Sequence, residues 1–166
     1  MRKTRAAIAR NSTWIRPGSH EQMVARTLVS PRDFVWNGRM VAEKKYEVAV
    51  SSQTQYVVEQ SDEDKGRFVF SYTITIRNNG SVPAQLISRH WIITDANNKV
   101  QEVRGLGVIG EQPLLKADES FEYTSGAAIA TPVGTMRGSY QMVAEDGTHF
   151  DAPIPEFTLS VPRVLH

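Results

Sequence analysis

Residues 104–110 read Arg-Gly-Leu-Gly-Val-Ile-Gly, so three glycines stand at the spacing Gly105-x-Gly107-x-x-Gly110. In a dinucleotide-binding fold this spacing lets the backbone turn tightly, approach a pyrophosphate and pack a helix on the preceding strand. The strand side of that context is present, since Val100 to Val103 can enter the loop extended. The helix side is not. Glu111-Gln112-Pro113 follows, then Leu114 to Glu119, which leaves room for one helical turn at most. Two readings stay open. A glycine loop can line up its amides as a concave anion nest without any helix, with Arg104 as counter-charge. Alternatively, the glycines only supply positive φ where the chain crosses between sheets, and Leu106, Val108 and Ile109 plug into the core.

Other groups capable of chemistry are sparse. Glu102 and Glu111 flank the loop and suggest magnesium held jointly with a phosphate ligand, although two surface acids explain them as well. Arg89, Arg104 and Arg137 could share an anion if the strand register brought them together. His20, His90, His149 and His166 lack metal-ligand spacing, and His90 reads as a structural histidine in a central strand. Ser125 sits in Thr-Ser-Gly rather than in a nucleophile elbow. No nucleophile is paired with a base, so the reading leans to a binding protein without catalytic residues, resident cofactor or metal, one that meets a protein partner through sheet edges or exposed apolar loop residues such as Leu106, Val108 and Ile109.

Alternation supplies the elements that must position these residues. Tyr46, Val48 and Val50 are apolar at every second position. Phe68, Phe70, Tyr72, Ile74 and Ile76 make the clearest strand, and burying each stabilises the fold by roughly 1.5–3 kcal/mol. Ala84 to Thr94 is predicted as a central strand. It turns at Asp95-Ala96-Asn97-Asn98 into Lys99 to Arg104, a hairpin that leads into the glycine loop. Further strands are predicted around Phe121 to Ser125, Thr135 to Ala144, His149 to Ile154 and Phe157 to Val161. Gly126 to Gly134 reads as a connection, and Glu59 to Gly66 as a solvated loop. Pro153, Pro155 and Pro162 confine the last pieces to sheet edges. The sum is an all-β chain: an antiparallel immunoglobulin- or fibronectin-type sandwich of about seven or eight strands.

Composition bounds the rest. The 166 residues are 40% hydrophobic and 22% charged, ordinary for one globular domain, and contain no cysteine, which removes disulfides and thiol chemistry. No apolar run reaches the roughly twenty residues of a membrane helix. The net charge of +1 conceals an asymmetry. Residues 1–39 carry eight Lys and Arg against Glu21 and Asp33, a local +6, so residues 40–166 carry −5. An acidic body has no electrostatic draw to nucleic acid. The basic residues 1–39 read as a poorly ordered extension or as an upstream start ahead of Met40.

Several motifs, in order, resemble the bacterial ApaG family. They are Arg89 to Asp95, Gly105 to Leu114, Tyr123 to Gly126, Gly134 to Tyr140, and the ending Phe157 to His166. The likeness spans residues 40–166 and excludes 1–39. It implies a fibronectin-type-III-like sandwich in a small bacterial cytoplasmic protein. It also implies a protein-interaction role, either with an unidentified partner or by self-association, since related domains occur in eukaryotic F-box proteins and a polymerase-interacting protein. The family is associated with cobalt and magnesium tolerance and with diadenosine tetraphosphate metabolism. Its three glycines, here Gly105, Gly107 and Gly110, have been read as a pyrophosphate site.

Overall fold

A computed structural model of the protein describes residues 23–29 and 45–162. They form nine strands: β1 (Met23–Val29), β2 (Val48–Tyr56), β3 (Phe68–Asn78), β4 (Ala84–Asp95), β5 (Val100–Leu106), β6 (Leu114–Leu115), β7 (Ser120–Ile129), β8 (Val133–Ala144) and β9 (His149–Ser160). Two short 3-10 turns, Val58–Gln60 and Glu63–Lys65, lie in the charged loop between β2 and β3. All strand pairs are antiparallel. One sheet runs β1-β7-β3-β2 and the other β5-β4-β8-β9, with β6 added to the β5 side of β4. Strands β2 and β9 meet where the two sheets close on each other. This is the antiparallel sandwich that the alternation predicts.

The period-two faces meet in the middle. Phe68, Phe70, Tyr72, Ile74 and Ile76 of β3 are all buried, as are Phe121 and Tyr123 of β7 and Met136, Tyr140 and Met142 of β8. Trp91 of β4 sits at the centre. Its ring lies 5.3 Å from Tyr72 of the opposite sheet, and makes edge contacts with Tyr140 at 6.3 Å and Phe157 at 5.9 Å. The Trp91 Nε1 is buried without a hydrogen-bond acceptor among the described residues. That orphan costs about 1–3 kcal/mol. The indole compensates by removing ~150–250 Å² from water.

Polar groups tie down the corners. Asn78, buried at the end of β3, donates from Nδ2 to the Val82 and Leu115 carbonyls and accepts the Gly80 amide, each at 2.9 Å. The predicted Asn78-Asn79-Gly80 turn is therefore also a buried junction between β3, β4 and β6. Asp95 closes the β4–β5 hairpin by accepting the amides of Asn97 and Lys99. Tyr46, its ring tilted against Phe150, donates its hydroxyl proton to Asp146, which links the lead into β2 to the β8–β9 turn.

Some boundaries differ from the expectation. Strand β7 continues through Gly126 to Ile129, because Ala127 and Ile129 are buried opposite Phe70 and Phe68. Residues that small read as a connection when seen without their partners. The two final strands are one, β9, carried past Pro153 and Pro155 by a register shift between Met136 and Gly138. As an edge strand, β9 needs no amide from either proline on its outer side. Within residues 1–39, where the sequence shows no alternation, β1 pairs with β7, with Met23 opposite Ser125 and Leu28 opposite Phe121. The expectation for the other residues of that stretch lies outside the described residues.

Trp91→Ala is expected to cost about 3–5 kcal/mol in urea unfolding. Trp91→Phe is expected to cost less than half of that, since it removes the orphan N–H together with part of the bulk. The Tyr46 hydroxyl, with the Thr148 groups behind it, holds the Asp146 carboxyl below the ordinary aspartate range. A depressed folded pKa contributes stability above the unfolded value and loses it as pH falls through the folded value. In an NMR titration, Tyr46→Phe should move the Asp146 midpoint back upward.

Candidate functional site

The hairpin arithmetic decides what the glycine segment does. Asp95 donates its amide to the Lys99 carbonyl at 3.0 Å, and the register that follows sets Arg89 opposite Gly105 and His90 opposite Arg104. Arg89 points to the inner side with Trp91, and its guanidinium lies over Gly105. A Cβ at residue 105 would come within 2.8 Å of Nη1. From there Nη1 donates to the carbonyls of Gly107 at 2.8 Å and Leu106 at 3.2 Å. The first glycine therefore makes room for a cation that grips the loop through its carbonyl oxygens.

The rest of the loop is a tight turn. Val108 and Glu111 exchange amide-to-carbonyl bonds at 2.8 and 3.0 Å around Ile109 and Gly110. Positive φ at both central residues, 52° and 68°, makes this a type I′ turn. Ile109 is a β-branched residue in the left-handed region, a strained choice costing about 1–3 kcal/mol. Its packing against the core holds it there. Gly107 also has positive φ, at 62°, and a Cβ there would strike the Glu111 carbonyl at 2.2 Å. Its amide donates to Ile87 at 2.8 Å. Three loop amides, those of Gly107, Val108 and Glu111, thus end on protein carbonyls rather than converging on a common point.

The side chains named from the sequence separate in space. Val108 is fully buried and is withdrawn from the partner-contact set, because it faces the core. Ile109 is half-buried, while Leu106 is 75% exposed at the tip of β5. Leu114 of β6, 53% exposed, lies further along the same edge of β4. Gln112 bridges between them, donating to the Ile87 carbonyl while its own carbonyl accepts from Gln85. Arg104 does not serve the loop. It lies on the outer face of β5, 3.7 Å from Glu102, which also meets His90 Nε2 at 3.2 Å. Glu102 stands four strand residues before Leu106, about 13 Å away. Glu111 lies beyond Leu106, across from Val108. Among the described residues no group of three His, Asp or Glu side chains gathers as a metal site. Arg137 pairs in register with Ile92, away from Arg89, so the three arginines do not converge. Ser125 is buried in β7.

The sequence marks Arg89 as a possible anion partner but not as the clamp on the loop. Its signal was parity. Once Asp95 and Lys99 pair across the turn, counting back places an arginine against a glycine.

The two antiparallel sheets, with the glycine loop and β6 at the free edge of β4, define an all-β sandwich domain. A family profile described as the ApaG domain matches residues 58–144. The ApaG proteins of Nitrosospira multiformis and Thiobacillus denitrificans are each 68% identical over 127 residues, covering 76% of this chain and all of the relative. A crystal structure of an ApaA protein from Bordetella pertussis is similar at 57% identity and a TM-score of 0.71, covering 74% of this chain and 99% of that one. The chain belongs to the ApaG domain family. Among the described residues no helix is long and apolar enough to cross a membrane.

The two positive-φ glycines of the loop, Gly107 and Gly110, should respond differently to alanine. Gly110 faces open space, so Gly110→Ala carries only left-handed strain, roughly 1–2 kcal/mol. Gly107→Ala adds a backbone collision and should lose clearly more in the same urea titration. Equal losses would contradict the turn geometry.

Proposed function

We propose that this chain is a non-enzymatic protein-interaction module of the ApaG type, working in the cytoplasm. The contact surface on this reading is the corner formed by Leu106, Ile109 and Leu114, beside the outer edge of β5. The observation that carries the proposal is Leu106. A leucine three-quarters exposed is held at the end of a strand whose carbonyl is gripped by Arg89, on a turn strained at Ile109. Exposed apolar side chains on a pre-organised frame bind at low entropic cost. Arg89, His90 and Glu102, which could otherwise perform chemistry, are bonded within the protein. The alternative, a pyrophosphate or nucleotide site at Gly105, Gly107 and Gly110, is weakened because so many of the amides there already have protein acceptors. On the interaction reading, the family's association with cobalt and magnesium tolerance and with diadenosine tetraphosphate metabolism is exercised through a partner.

A photo-crosslinking residue at Leu106, expressed in cells, should yield a discrete adduct. The same residue at Val58, 66% exposed on another loop, should yield none. Adducts of equal abundance at both positions, or none at Leu106, would count against the proposal. Leu106→Asp should abolish the adduct partner's co-purification while shifting stability by no more than about 0.5 kcal/mol.

A further inference from the structure

Strand β5 is an edge, and among the described residues no strand pairs with its outer side. Its backbone polarity follows from the β4 register. The Gly107 amide donates to Ile87 and the Asp95 amide to Lys99, so the odd-numbered residues of β5 turn their amides and carbonyls toward β4. Val100, Glu102, Arg104 and Leu106 therefore turn theirs outward. These same four residues are the exposed ones, alternating with half-buried Gln101, Val103 and Gly105.

Outward-facing side chains in the order Val100, Glu102, Arg104, Leu106 are self-complementary. If a second β5 runs antiparallel with Val103 opposite Val103, each Glu102 faces the partner's Arg104 and each Val100 faces the partner's Leu106. A protected edge usually sets like charges against an incoming strand. This one sets acid against base and leucine against valine, twice, under the two-fold symmetry that homodimers use. The two central rungs fall at positions whose backbone groups point outward, which supplies about four backbone hydrogen bonds. Leu106, whose carbonyl already accepts from Arg89, contributes mainly apolar contact.

We infer that the edge of β5 pairs with β5 of a second copy of this chain, in antiparallel register about Val103. The two sheets then run on as one through the dimer. This inference rests on the interaction reading and names its partner.

The test is sedimentation equilibrium on the full chain, from micromolar to about 1 mM, with four samples. The wild type should show a monomer–dimer equilibrium. Glu102→Arg alone and Arg104→Glu alone, both at exposed positions and checked for unchanged melting, should each weaken dimerisation at least about tenfold, because like charges then face each other. An equimolar mixture of these two variants, and the double variant E102R/R104E, should both regain the dimer. The Glu102 and Arg104 amides should exchange more slowly at high concentration. A wild type that is monomeric throughout, or a dimer indifferent to both reversals, overturns the pairing. A monomer that still forms a Leu106 adduct with a different protein overturns only this inference. A chain with no Leu106 adduct at all removes the interaction reading as well.

Discussion

The contact on which the molecule depends is the meeting of Trp91 with Tyr72 across the two sheets, 5.3 Å between rings. Phe157 and Tyr140 close around the same indole, so strands from both sheets share one aromatic centre. Two sheets that bury alternate side chains must hold their strands in register, because a slip of one residue would send every large side chain to solvent. That constraint on β4 passes through the Asp95 hairpin to β5. It therefore sets where each residue of the glycine segment can lie.

The same constraint divides the chemistry of the site between two faces. Trp91, Ile93 and Arg89 share the inner side of β4, so Arg89 reaches the loop from within, over Gly105. His90, Glu102 and Arg104 meet on the outer side as a small ion-paired cluster. An anion site requires cations and amides to converge. Here the cation grips carbonyls, and the amides of Gly107, Val108 and Glu111 serve the turn. What the corner presents to solvent is Leu106 and a strand edge.

The three glycines of the loop each meet a different backbone requirement. Gly105 provides space, Gly107 provides both space and positive φ, and Gly110 completes a type I′ turn beside Ile109. Three glycines at dinucleotide spacing thus answer three separate backbone demands within one antiparallel corner. Strain at Ile109 is tolerated because Val108 beside it is locked into the core.

Fold class and most strands were legible because burial between two sheets imposes a period of two, and Phe68 to Ile76 state that period without ambiguity. Family membership was legible from ordered motifs. The ends of β7 and the unity of β9 were not, since Gly126, Ala127 and the prolines reveal their strand character only against Ser71, Phe70 and β8. Strand β1 was invisible for a related reason: its residues show no alternation of their own, and pairing with β7 supplies the hydrogen bonds. The glycines were plain in the sequence, but their task was not. Local chemistry establishes that residues 105, 107 and 110 lack side chains. Only the packed register determines that the space over Gly105 belongs to Arg89, that Val108 is buried and that Leu106 is exposed. Those outcomes depend on which strand lies opposite, and that is a property of long-range pairing rather than of neighbours in the chain.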